Sequence, residues 1–325
     1  MKSKISVALC TYNGEKFIEE QLNSILNQTI AVDEIIVCDD CSKDSTTSII
    51  NKYIEKNPSL FKLYINETNL KSNANFEKAI QLTTGDYIFL SDQDDIWKND
   101  KVEKILTVFN NNKEAEGVFS NADFIDETGN KTYNNLSLWD FVCFFENENL
   151  NQENLLKLLI FKGNYLTGAT LCIKKEVKTF CIPFKTGDDF IHDEWLAFQL
   201  ANKKTLYYST ENLISYRIHS NQQLGVGFIP DTSKIKKGNL KYYNLIIGNT
   251  VPRGFNEFKT TTRAYFFQYD KYKKLYNKHN DTNFLKIKEK LLEKYLEEDE
   301  KMKKCNPILY FFRKMKDKKK GKRIL

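Results

Sequence analysis

Four short apolar runs punctuate the first hundred residues: ISVAL (5–9), EIIVC (34–38), FKLYI (61–65) and DYIFLS (86–91). Between them apolar residues recur at helical spacing. Phe17, Ile18, Leu22, Ile25 and Leu26 share one face of 15–27, and comparable patterns run from DDCSKDS to about 57 and over 72–82. Continuously apolar strands are buried on both faces, and strands alternating with helices form a mostly parallel α/β sheet. In such a sheet ligands collect beyond the carboxyl ends of the strands. The polar clusters TYNGE, DDCSKDS, NETNLK and DQDDIW occupy those four connections, which predicts one crevice fed by four loops.

A helix over 98–110 and a strand near 117–122 extend the unit. The aromatic cluster LWDFVCFFENENL (138–150) either packs or lines an acceptor cleft. A helix at 193–202, strand-like LYY (206–208) and YRIHSN close the domain by about residue 225. Beyond it the character changes. Helical patterns at 256–277 and 283–304, the latter striped by Phe284, Ile287, Leu291, Leu292 and Tyr295, predict a helical C-terminal extension over 226–325 behind a domain of 1–225.

With 325 residues, 41% of them hydrophobic, a substantial core is available. The net charge of +6 is unevenly placed: residues 301–325 hold 11 Lys and Arg against one acid, leaving 1–300 at −4. A slightly acidic body without a basic stripe speaks against nucleic acid as a partner. The basic tail, which contains PILYFFRK, suits an anionic membrane surface. Seven cysteines at 10, 38, 41, 143, 172, 181 and 305 fit neither a disulfide scaffold nor a compact zinc site, so reduced cytoplasmic thiols are expected. MKSKISVALCTYNG lacks the pattern of a signal peptide, and no apolar run is long enough to span a bilayer.

FLSDQDDIWKND (89–100) concentrates Asp92, Asp94 and Asp95 after the fourth strand. Three readings compete. Helix capping accounts for one acid but not three, because adjacent like charges are costly unless a donor or cation offsets them. A calcium loop fails, since Trp97 stands where glycine is required and Ile96 where an oxygen ligand is expected. The third reading is a Mg²⁺ or Mn²⁺ ion held by Asp92 and Asp94 against a phosphate-bearing substrate.

Seven blocks, in order, resemble the glycosyltransferase family 2 pattern with the GT-A fold, in its bacterial branch of rhamnosyltransferases for surface polysaccharide: VALCTYNGEKFIEEQLNSILNQT, EIIVCDDCSKDST, NETNLKSNANFEKAI, GDYIFLSDQDDIWKNDK, GNYLTGAT, HDEWLA and YRIHSN. The resemblance covers about 4–225. It implies that Thr11, Tyr12, Asn13 and Glu15 surround a nucleoside, with Asp39 or Asp40 accepting from the pyrimidine or ribose. Asp92 and Asp94, flanking Gln93, would hold metal and diphosphate, with His219 a further candidate for metal or phosphate. Arg217 would face the leaving diphosphate.

The same resemblance makes Asp193 the base of an inverting transfer, which must accept the acceptor hydroxyl's proton. Glu194 is the capping alternative, because adjacent helical residues point in different directions. Asp95, Trp97, His192, Glu194, Trp195 and His219 are the candidates around the sugar or acceptor. Lys71 stands where the family's NxG block has glycine, which either alters the donor loop or places a cation near the sugar nucleotide, and Gln222 replaces an asparagine. The implied donor is dTDP-rhamnose or a UDP-hexose. The implied acceptor is a growing saccharide, polyprenyl-linked, met at the inner face of the cell membrane. Two rivals use similar residues: a haloacid-dehalogenase-like phosphatase, whose DxD normally follows its first strand, and a nonenzymatic sugar-nucleotide-binding module.

Overall fold

The computed structural model describes residues 3–133, 136–146, 150–220, 222 and 232–324, the side chains of 232–235 excepted. In chain order the N-terminal elements are β1 (Ile5–Thr11), α1 (Ile18–Leu26), β2 (Glu34–Asp39), α2 (Thr46–Lys56), β3 (Phe61–Ile65), α3 (Lys71–Leu82), β4 (Tyr87–Ser91), β5 (Ile96–Trp97), α4 (Lys101–Asn111), β6 (Gly117–Ile125) and β7 (Lys131–Thr132). There follow α5 (Leu138–Val142), α6 (Gln152–Phe161), β8 (Leu171–Lys174), α7 (Lys178–Cys181), α8 (His192–Asn202), β9 (Leu206–Arg217), α9 (Thr232–Ile247), α10 (Phe255–His279), α11 (Thr282–Cys305) and α12 (Pro307–Lys319).

One sheet runs β3-β2-β1-β4-β8-β6-β9-β5, with β7 added beside β6. The first four strands of that order are parallel, as the alternating pattern predicts. Parallel pairing stops at β4, because β8 enters antiparallel between β4 and β6. LCIK is too short to announce itself as a strand. β9 also exceeds its expected span, joining LYY to YRIHSN in a single strand whose register on β6 shifts near Ser120 and Asn121.

Every residue of β1 is buried, and its side chains alternate between two cores. Val7 and Leu9 pack with α1 and α4, whereas Ala8 and Cys10 join a larger cluster with α3, α6 and α8. Tyr243 of α9, Tyr272 and Leu275 of α10, and Phe284 and Leu291 of α11 belong to that larger cluster. Helices α9, α10 and α11 therefore share the core of the sheet. The expected boundary at 225/226 lies outside the described residues. The segment 138–146 packs: Trp139 and Phe144 lie within 6 Å of Phe119, although Phe141 and Val142 reach the cleft. All seven cysteines are free thiols. Among the described residues no helix is long and apolar enough to cross a membrane.

Candidate active site

Strand register assembles the crevice. Thr11 lies opposite Asp39, and Leu9 opposite Ser91, so the connections after β1, β2 and β4 emerge side by side. They open into a cleft of about 540 Å³ that is also lined by Asn164, Thr167, Gly168 and the start of α8. The connection after β3 contributes indirectly, through Ser72, Asn75 and Phe76 of α3.

The first two loops brace each other. Asn13 N donates to Ser42 Oγ at 2.9 Å, Gly14 N to Thr46 Oγ1 at 2.8 Å, and Ser45 N to Glu15 Oε2 at 2.8 Å. Tyr12 and Asn13 line the cleft, while the exposed Glu15 serves the brace. Asp39 is fully buried; it accepts from Thr11 Oγ1 at 2.7 Å and from Ser42 Oγ at 2.6 Å. Asp40 reaches the cleft and also accepts from the backbone N–H groups of Leu70 and Lys71 at 2.7 and 2.8 Å, capping α3. That capped turn gives Lys71 a φ of 65°, a left-handed conformation in which glycine carries no Cβ penalty. Glycine at this position thus has a backbone reason, and the exposed Lys71 does not line the cleft.

Gln93 pairs with the backbone of Tyr12, Oε1 accepting at 2.8 Å and Nε2 donating at 3.0 Å, which fastens the β4 loop to the β1 loop. A Cβ on Gly14 would lie 2.2 Å from Gln93 Oε1, so only glycine allows this fit. Asp92 and Asp94 both face the cleft. Burial, then Asp94 and Asp193, raises the Asp92 pKa. Asp94 Oδ2 lies 3.0 Å from His219 Nε2, and the His219 ring rests on Phe17 at 4.8 Å.

Arg217 is not brought into the cleft. Its side chain is fully buried, with Nε donating to Asp94 O at 2.8 Å, Nη1 to Asp126 O at 3.1 Å and Nη2 to Glu20 Oε2 at 2.7 Å. Its backbone N–H donates to Asp95 Oδ1 at 3.1 Å. The cation secures the carboxylate loop from behind. Asp95 is likewise buried, and Trp97 sits in the core against Phe89. Lys101, which the sequence did not single out, lies beneath them. Its Nζ is 3.8 Å from the Trp97 ring centroid and donates to Ala169 O at 2.7 Å, and burial lowers its pKa to about 7 against the pull of Asp95.

Asp193 lines the same cleft as Asp92 and Asp94, near enough that its charge helps to raise the Asp92 pKa. Asn164 Nδ2 donates to Oδ1 at 3.0 Å, Glu194 N to Oδ1 at 2.6 Å and Gly168 N to Oδ2 at 3.1 Å. Asn164 and Gly168 were visible only as part of GNYLTGAT. Burial, reinforced by Glu194, pushes the Asp193 pKa up to about 7. His192 stacks on Phe76 at 4.1 Å, and burial holds it neutral by lowering its pKa to about 3. Its Nε2 has no hydrogen-bond partner among the described residues and lies against Gly168, where an added Cβ would approach to 2.9 Å. Glu194 turns away from the cleft, taking Lys271 Nζ of α10 on its two oxygens at 2.7 and 2.6 Å. Trp195 is a core residue whose Nε1 donates to Cys181 O.

Among the described residues there is no cluster of three or more His, Cys, Asp or Glu suited to enclosing a metal. The donors that line the cleft could supply only part of an ion's shell. Asp92, Asp94 and His219 offer carboxylate oxygens and one imidazole at a cleft wall, a partial set such as Mg²⁺ or Mn²⁺ completes with substrate phosphates.

A sheet crevice fed by nucleotide-sized loops, with a carboxylate loop after β4 and a mixed sheet beyond it, is the architecture of the GT-A glycosyltransferases. The chain belongs to glycosyl transferase family 2, whose profile matches residues 6–178. A dTDP-rhamnosyl transferase of Shigella flexneri is 31% identical over 233 residues, which cover 67% of this chain and 73% of the relative. A glycosyltransferase of Methanocaldococcus jannaschii is 29% identical over 248 residues, covering 75% and 79%. Two solved structures resemble the fold at 16% identity. A mannosyltransferase of Pyrobaculum calidifontis in complex with GDP-Man and Mn²⁺ aligns with a TM-score of 0.51, covering 82% of this chain and 74% of the other. TarS of S. aureus in complex with UDP-GlcNAc aligns at 0.50, covering 90% and 73%. The chain is thus a nucleotide-sugar glycosyltransferase, and neither the phosphatase nor the nonenzymatic module is retained.

Proposed function

We propose that the protein transfers a sugar, with inversion, from a nucleoside diphosphate sugar to a hydroxyl of a growing surface polysaccharide carried on a polyprenyl lipid. The observation that carries this reading is the placement of Asp193, held by Asn164, Gly168 and Glu194, in one cleft with Asp92 and Asp94. An inverting displacement needs a base on the acceptor side and charge neutralisation on the leaving-group side. Tyr12, Asn13 and Asp40 supply polar groups for the nucleoside. The Shigella relative favours dTDP-rhamnose as donor over a UDP-hexose. Residues 1–225 form the catalytic unit and 226–325 its extension, working at the cytoplasmic face of a bacterial cell membrane, where such an acceptor is presented.

Asp92, Asp94 and His219 would hold a Mg²⁺ or Mn²⁺ ion, which when bound neutralises the departing diphosphate. The chain's own groups do the rest. Asp193 takes the hydroxyl proton, while Asn164 and Gly168 fix the direction of its lone pairs. His192, neutral, offers Nε2 to a sugar or acceptor hydroxyl. A screen of sugar nucleotides for release of UDP or dTDP tests the whole reading, and silence with every donor and lipid-linked acceptor would overturn it.

Two further outcomes are expected. Because the base must be ionised and its pKa is about 7, kcat/KM should rise with pH through neutrality and level off above it; a profile flat across neutral pH would remove Asp193 from the role. Asp94→Ala should weaken Mn²⁺-dependent binding of the nucleoside diphosphate by at least about tenfold, read by calorimetry with and without the metal. Unchanged metal dependence would exclude Asp94 as a ligand.

A further inference from the structure

The last helix is amphipathic in the wrong direction for a water-facing element. No residue of α12 is buried, and its large apolar side chains point outward: Ile308, Phe311 and Phe312 are 72%, 59% and 65% exposed, and Leu309 and Met315 are both 49% exposed. At about 3.6 residues per turn these five positions share one face. The opposite face carries the polar groups and meets the protein. Tyr310 Oη donates to Asp299 Oδ2 of α11 at 2.6 Å, and Arg313 pairs with Asp317 at 2.8 Å with both side chains largely covered. Arg323 closes the same inner network on Asp299 and Tyr310.

We infer that the outer face of α12 is the surface by which this enzyme lies on an anionic lipid bilayer. A contiguous exposed apolar face marks an interaction site, and its charge selects among occupants. Residues 306–325 contain eight Lys and Arg against one Asp. Lys314 and Lys318 flank the apolar stripe on one side, and Lys316 and Lys319 continue the same face toward the end of the helix, so that apolar residues can enter the acyl boundary while lysines meet anionic headgroups. Two copies of the same face would instead bring like charges together. The patch continues onto α10, where Phe267 is 50% exposed and Lys322 Nζ lies 5.8 Å from its ring centroid.

This deepens the proposed function by naming the surface at which a lipid-linked acceptor is met. The two ideas fail separately, since vesicle binding requires no donor, and transfer to a water-soluble acceptor requires no vesicle. The full chain is floated with vesicles of phosphatidylcholine alone or mixed with phosphatidylglycerol. Binding only to the mixed vesicles, weakened by salt and reduced about tenfold or more in Phe311→Ser/Phe312→Ser, is expected. Transfer to the soluble acceptor should be unchanged in that variant. Equal binding to neutral vesicles, or none to either, overturns the inference. So does a concentration-dependent dimer in sedimentation velocity that the double substitution abolishes, which would assign the face to a second copy.

Discussion

Asp193→Asn is expected to lower the rate of transfer by about 10²–10⁴-fold, the usual contribution of a positioned general base. Sugar-nucleotide binding should survive. Asparagine keeps the shape of the side chain and can leave its oxygen where Asn164 and the Glu194 N–H donate, so only the bond from Gly168 N to Oδ2 is at risk. What disappears is the basic lone pair. The loss should fall on kcat, because the loops proposed to hold the nucleotide are braced on each other, through Gln93 with Tyr12 and Ser42 with Asn13, rather than on Asp193. Single-turnover transfer and equilibrium donor binding, measured on the same preparation, separate the two. A variant that loses both in parallel would show Asp193 to be a structural residue, and one that transfers normally would leave the reaction without its proposed base.

Lys271→Met should destabilise the fold by about 3–5 kcal/mol at alkaline pH, the typical result of leaving one member of a buried ion pair uncompensated. The Glu194 and Lys271 side chains are only 3% and 12% exposed, and burial already raises the Glu194 pKa against the opposing pull of Lys271. Without the cation that pKa rises further. The folded variant then binds more protons than the unfolded chain between the unfolded pKa and the new folded one, so the deficit shrinks as pH falls through that window. Urea denaturation at several pH values reads the effect. Lys271→Met/Glu194→Gln should recover most of the stability, since it leaves no buried charge. A deficit independent of pH and undiminished in the double variant would locate the effect in packing instead. The pair also ties α10 to the residue next to Asp193.

Much of the scaffold could be read directly. The apolar runs at 5–9, 34–38, 61–65 and 86–91 became β1 to β4 with ends shifted by at most two residues, because continuous burial leaves a local mark in β1, β2 and β4, and the half-exposed edge strand β3 keeps enough apolar residues to be read. α9 and α12 leave a weaker mark, because lysines interleave with their apolar residues and read as solvated chain. β8 escaped because four residues are too few for periodicity, yet it inserts antiparallel and turns the sheet from parallel to mixed. Its placement carries 164–168, and with them the partners of Asp193, to the cleft.

Within the site, residue type was legible and role was not. Asp92, Asp94 and Asp95 are near neighbours in sequence, but two line the cleft and the third lies beneath it, tied to Arg217 N. The guanidinium of Arg217 offered itself as a phosphate ligand until its partners on Asp94, Asp126 and Glu20 were seen. Sequence alone determined the alternation of strands and helices in the first half, the four polar loops that follow the strands and the stock of acids and cations available there. Tertiary structure alone decided which carboxylate faces the cleft, which cation is consumed as a brace, and that α12 turns its apolar face outward. Strands and loops follow from nearest-neighbour patterning, whereas a side chain's charge state and direction depend on partners tens to hundreds of residues away, which only folding brings within hydrogen-bond reach.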